Sequence, residues 1–218
     1  GGKLNMSGGY DTQTPEKPAV NMKFDLQSVD IQQSFTALNT FQALAPIGQF
    51  IQGRLNTSLV FSSELGSDMM PDLSTIDAQG FLQTMNAVIQ GFKPLQAVGN
   101  KLNVDYFKNM QLQDTKNWFE VHDGVVELKP VDFEFNDIAM QVSGKHGLNM
   151  AMDYDIKASI PRELIGQSTL GAAANQGLSF IQKQASQLGL NVGSGSHVNL
   201  AINLGGSMND PDVGIDVL

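Results

Sequence analysis

The sequence predicts an α+β fold: a curved, mostly antiparallel β-sheet of about nine or ten strands with about three helical insertions packed on or beside it. Two observations carry this. Most of the chain alternates apolar and polar residues with a period of two, in segments joined by short polar links. Three stretches instead repeat their apolar residues every three or four positions, near 31–52, 94–102 and 162–189.

Lys3 to Tyr10 reads as a short strand, ended by "DTQTPEKP" with Pro15 and Pro18. In "AVNMKFDLQSV", Val20, Met22, Phe24 and Leu26 fall on one face and Asn21, Lys23, Asp25 and Gln27 on the other. The period changes after Asp30, an N-cap residue by type. Ile31, Phe35, Leu38, Phe41 and Leu44 then form one apolar stripe of a helix, which Pro46 should interrupt. "PIGQFIQG" adds one or two further turns before Gly53.

"RLNTSLVFSSEL" returns to strand character, "GSDMMPD" is a loop, and "STIDAQGFLQTMNAVIQG" gives one or two strands with imperfect alternation. "KPLQAVGNKLN" predicts a short helix, with Pro94 in its first turn and Leu95, Val98 and Leu102 on one face. Asp105 to Asn109 carries no clear period. From Met110 to Pro161 the reading is β throughout, with Asp123-Gly124 as a hairpin signal.

In "VSGKHGLNMAMDYDIKASIP", Leu148, Met150, Met152, Tyr154, Ile156, Ala158 and Ile160 alternate as the apolar face of one strand. Gly144 to Gly147 reads as the turn that feeds it, and Pro161 as the switch from sheet to helix. Leu170, Ala174, Leu178, Ile181, Ala185 and Leu188 predict an amphipathic helix ending near Gly189. Val198, Leu200, Ile202 and Leu204 alternate in the next strand, and Val213, Ile215 and Val217 in the last. Each strand thus has one apolar and one polar face, and three helices are few to cover so many strands.

Composition narrows the function. Hydrophobic residues make up 41%, which is globular, and the formal net charge is −9 with a pI near 4.6. The 13 Lys and Arg are scattered singly, so neither a nucleic-acid backbone nor an anionic membrane surface finds a basic patch. The chain has no cysteine, which removes disulfides, thiolate metal sites and a Cys nucleophile. No window approaches the apolar length of a membrane span.

Catalytic signatures are not evident. His122 and His146 stand beside glycine and read as surface turn residues, and His197 follows the "GSGS" loop. None has a second ligand at metal-binding spacing. The sequence lacks a G-x-S-x-G elbow, a phosphate-binding G-x-x-x-x-G-K-[ST] loop and a dinucleotide fingerprint. Asn209, Asp210 and Asp212 offer fewer ligands than Ca²⁺ takes, and Asp153 and Asp155 lie on the polar face of their strand. The reading is therefore no enzyme, no metal and no cofactor. What stands out is the apolar strand face, with Met22, Met140, Met150 and Met152 on it. Methionine is unbranched and adapts to varied apolar partners.

Seven segments in order carry a resemblance: "GKLNMSGGYDT"; "VNMKFDLQSVDIQQSF"; "LAPIGQFIQGRLNTSLVFSSEL"; "AQGFLQTMNAVIQGFKPLQAVGNKL"; "FEVHDGVVELKPVDF"; "VSGKHGLNMAMDYDIKASIP"; and "LGGSMNDPDV". The pattern resembles the C-terminal region of AsmA-like proteins, envelope proteins of Gram-negative bacteria related to TamB. The resemblance implies a single AsmA-like C-terminal domain over 1–218, a fragment of a longer protein anchored in the inner membrane and extending into the periplasm. It implies a part in outer-membrane biogenesis and lipid transport, with sheets that curl into a groove with an apolar floor. The expected ligand is then phospholipid or another acyl-chain lipid, the expected protein partners are other envelope proteins, and nucleic acid is not a partner. Membrane contact would run through a region outside this segment.

The candidate lipid- or helix-facing residues are Val20, Met22, Phe24, Leu26, Met140, Leu148, Met150, Met152, Tyr154, Ile156, Val198, Leu200 and Ile202. The other expectation is a structural or protein-docking domain with a self-satisfied core.

Overall fold

The computed structural model describes residues 1–37, 41–42, 45–112, 114–165, 176 and 195–218. The expected strand face is realised as one eleven-stranded sheet, antiparallel throughout its named pairings. Its strands are β1 (Lys3–Asp11), β2 (Ala19–Asp30), β3 (Ile51–Glu64), β4 (Asp77–Gln90), β5 (Asn109–Leu112), β6 (Thr115–His122), β7 (Val125–Phe135), β8 (Ile138–Gly147), β9 (Met152–Pro161), β10 (His197–Gly206) and β11 (Pro211–Val217). Neighbours in the sheet are neighbours in sequence, except that β5 sits beside β4 off the main path. Short links make hairpins of β1–β2, β6–β7, β7–β8, β8–β9 and β10–β11, while longer connections join β2 to β3, β3 to β4, β4 to β5 and β9 to β10.

Among the described residues the named helices are α1 (Ile31–Ala37), α2 (Lys93–Leu102) and the single turn α3 (Arg162–Ile165). Asp30 caps α1 as expected: its Oδ1 accepts the Gln33 N–H at 2.8 Å. Leu38 and Leu44 of the predicted stripe lie outside the described residues. Pro46 opens a separate 3-10 turn, Pro46–Phe50, and the chain is already β at Ile51, before Gly53. Of the helix predicted over 162–189, Arg162–Ile165 is helical and the stretch beyond, apart from Gln176, lies outside the described residues.

α2 matches its prediction. Pro94 sits in the first turn, and Leu95, Val98 and Leu102 are buried along one face. The helix stops at Asn103, whose φ of 56° is the left-handed conformation that ends helices. Asp105 to Lys108, aperiodic in sequence, is a 3-10 turn that buries Phe107.

The imperfect alternation of 77–90 has a structural cause. It is one strand, not two, with an extra residue at Asn86 (φ 49°) that lets Ala87 and Ile89 rejoin the face of Ala78 and Leu82. Matching irregularities lie alongside, at Ser28 (φ 53°) in β2 and Gly53 (φ 138°) in β3. Gly53 is required there, because a Cβ would lie 2.9 Å from the Ala87 Cα. Each extra residue bends its own strand and increases the local twist.

The sheet also curls. Ten residues of α2 span about 15 Å, whereas β4 and β11 would be about 29 Å apart in a flat sheet. Yet α2 follows β4 and packs against β11, with Lys93 Nζ donating to the Asn209 carbonyl at 3.1 Å and Lys101 Nζ to the Val213 carbonyl. The sheet therefore wraps around α2, and its apolar face is the concave one.

Candidate functional site

The concave face divides into three zones. The largest is a core in which Met140, Met152, Ile156, Ala158, Ile160, Val198, Leu200 and Ile202 of the sheet share one cluster with Leu95, Val98 and Leu102 of α2, with Phe107, and with Ile165 of α3. Leu102, Val98, Leu200 and Ile202 are fully buried. Each such side chain gains about 1.5–3 kcal/mol by leaving water.

The second zone is a smaller cluster at the far end of the long strands: Val20, Phe61, Leu65, Ile76, Ala78, Val121 and Val126. The loop 65–76 folds back over it. Ser63 Oγ is 3.0 Å from the Asp72 carbonyl, the Glu64 N–H donates to Thr75 Oγ1 at 3.0 Å, and Leu65 bridges to Pro71. Asp72 anchors this cap. It accepts from both the hydroxyl and the N–H of Ser74, which hold its carboxyl below the ordinary range.

The third zone is uncovered. Leu4, Met6 and Tyr10 of β1 pair with Leu26, Phe24 and Val20 of β2, so they continue the apolar face. They remain 54%, 59% and 67% exposed, and Met22, Phe24 and Leu26 beside them are half-buried. Here the sheet outruns its covering elements.

The predicted residues therefore separate. Met140, Met152, Ile156, Val198, Leu200 and Ile202 line the covered core, Val20 lies under the loop 65–76, and Met22, Phe24 and Leu26 border the open zone. Leu148 and Met150 do not belong to the strand. β9 starts at Met152, and 147–151 is a turn in which the Met150 N–H donates to the Gly147 carbonyl at 2.9 Å. Met150 has φ 67° and is exposed. Alternation ran through the turn by coincidence of composition. The turn also begins later than the glycines implied: Gly144 lies within β8, whose last residue is Gly147.

His146, read as a surface turn residue, is buried in β8 and shares a 2.8 Å hydrogen bond from Nδ1 with the Tyr154 hydroxyl on β9. The two rings stack at 6.2 Å. Period-two counting forward from Met140 and Val142 reaches His146 on the apolar face, a signal masked by the flanking glycines. His122 ends β6, exposed, with Nδ1 2.6 Å from Asp77 Oδ1. His197 opens β10, exposed beside the Ser196 hydroxyl.

Burial raises the Tyr154 phenol well above its ordinary value of 10.0, because the ionised form would lose its solvation. The folded chain then keeps this proton at a pH where the unfolded chain releases it, so stability falls as pH rises past about 10. Tyr154→Phe should flatten that slope by up to about 1.4 kcal/mol per pH unit; urea midpoints followed from about pH 9 to 11.5 measure it.

The polar face carries a cross-strand pair, half-buried Phe81 and exposed Trp118, with ring centroids 5.5 Å apart and Lys116 Nζ 4.7 Å from the Phe81 centroid. Two open clefts lie elsewhere. One, of about 700 Å³, opens between the Asp123-Gly124 hairpin, the 147–151 turn and Leu73. The other, of about 640 Å³, lies where β7 leaves β6 beyond Leu128 and is lined by Leu112, Thr115, Phe133 and Phe135. Among the described residues no group of three or more His, Asp or Glu side chains is placed to hold a metal. Among them, too, no helix is long and apolar enough to cross a membrane.

The chain matches no family model, no curated protein and no solved structure. The geometry and the chemistry of the concave face are thus the grounds on which a function can be argued.

Proposed function

We propose that this chain is a non-catalytic lipid-handling module of the AsmA-like kind, acting on the periplasmic side of a Gram-negative envelope in outer-membrane biogenesis. The observation that supports the reading is the open end of the concave face. Leu4, Met6 and Tyr10 on β1 and Met22, Phe24 and Leu26 on β2 form an apolar floor on a curled sheet. Burial of apolar surface contributes about 25 cal/mol per Å², so such a floor holds an acyl chain without polar contacts. Met6 and Met22 suit it because their unbranched side chains repack around a ligand of variable length.

Native mass spectrometry of the chain purified without detergent should show bound phospholipid, and a fluorescent phospholipid should be taken up with saturable binding. Met22→Glu, at a half-buried position of the open zone, should weaken uptake by about tenfold while the chain stays folded by circular dichroism. Lipid-free protein with no uptake would overturn the proposal.

A second reading, a structural or protein-docking domain with a self-satisfied core, draws on the first zone. There α2, the 105–108 turn and α3 share one buried cluster with residues of β8 to β10. On that reading Met22→Glu changes stability alone and leaves no lipid signal to lose.

A further inference from the structure

Among the described residues β1 stands at one edge of the sheet, paired with β2. Exposed edges carry unpaired N–H and C=O groups, and natural sheets blunt them with short strands, prolines, bulges or inward charges. β1 is nine residues long with no proline, bulge or inward charge, and its two charged residues, Lys3 and Asp11, stand at its ends. Its register with β2 runs unbroken over all nine residues, every one exposed. The other edge differs: β11 has seven residues and opens on Pro211.

The strand is also self-complementary. In an antiparallel pairing of two copies centred on Ser7, Lys3 faces Asp11 at both ends, Leu4 faces Tyr10, Asn5 faces Gly9 and Met6 faces Gly8. Every partner lies on the matching face, because opposed residues in an antiparallel pair point the same way. Leu4, Met6 and Tyr10 thus meet on the apolar side. On the polar side, Lys3 and Asp11 make two opposite-charge pairs. β1 has zero net charge in a chain of net charge −9, so it is a stretch where two copies approach without local repulsion.

We propose that two copies of this chain pair through β1, in a two-fold arrangement about Ser7 that joins both sheets into one with a continuous concave face. A two-fold axis perpendicular to the sheet keeps both apolar faces on the same side and closes the assembly at two chains.

Sedimentation velocity should show the mass rising from one 23.5 kDa chain toward two, and stopping there, as concentration reaches about 100 µM. Lys3→Asp and Asp11→Lys, each alone, should raise the dissociation constant by about tenfold. Mixing the two variants, or combining both changes in one chain, should restore pairing. The chain has no native cysteine, so Ser7→Cys introduces a single thiol. Because Ser7 faces its own copy, Ser7→Cys should form a disulfide dimer under mild oxidation, far faster than Thr14→Cys in the following loop. All four positions are exposed, which keeps these variants folded. A chain that stays monomeric at that concentration, charge variants that pair like the parent, or equal cross-linking at 7 and 14 would each overturn the proposal. Growth beyond two chains would overturn it too, since that is the signature of β1 pairing head-to-tail with β11.

Discussion

Truncating Leu102 to alanine is expected to destabilise the chain by about 2–5 kcal/mol, close to the whole margin of a marginal domain. Leu102 is fully buried at the last turn of α2, in the cluster that joins Ile89 of β4 to Val213 of β11. Removing three heavy-atom positions there leaves a cavity between elements fixed on both sides, where the sheet cannot collapse without losing its curl. Urea denaturation followed by far-ultraviolet circular dichroism measures the loss as a lower midpoint at unchanged slope. The contrast is Leu4→Ala, at a side chain 54% exposed on β1, which should move the stability of the isolated chain by no more than about 0.5 kcal/mol. Equal costs at the two positions would show that α2 is not the centre of the core.

Gly144→Val should cost about 2–5 kcal/mol, from backbone strain and overcrowding together. Gly144 stands inside β8 with φ 148°, a conformation open to glycine. Any Cβ would press on the Asp153 carbonyl oxygen and come within 2.6 Å of the Tyr154 Cα and 2.7 Å of its Cδ1. Tyr154 is the cross-strand partner of Gly144, and its ring covers the glycine as aromatic residues cover glycines in curved sheets. Displacing that ring would also break the 2.8 Å bond to His146. The check is a double measurement: a lower urea midpoint, and a Tyr154 phenol that ionises at lower pH in an ultraviolet titration than in the parent chain.

Both predictions rest on features that differ in how legible they were. α2 could be read directly, because proline near the start and an apolar stripe at helical spacing are local signals. The role of α2 could not, since contact with β11 joins residues more than a hundred positions apart. Gly144 illustrates the reverse. Two glycines around Lys145-His146 read as a turn, yet the sheet uses Gly144 as a point of curvature and places the turn at 147–151. A glycine signals conformational freedom, not the use made of it.

By itself the sequence determined the sheet: which residues alternate, where Asp123-Gly124 and Pro46 punctuate, and that the strands carry one apolar and one polar face. These are properties of two or three neighbouring residues, set by side-chain geometry and turn chemistry. The tertiary structure decided what each apolar face meets. Met152 and Ile202 lie in the buried cluster that α2 shares, Val20 lies in the cluster closed by Leu65 and Ile76, and Leu4 and Met6 are left open at the edge. The strands have the same period in all three places. Covering depends on how far the sheet curls and on which segments fold over it, through contacts such as Lys101 with Val213 that join residues far apart in the chain.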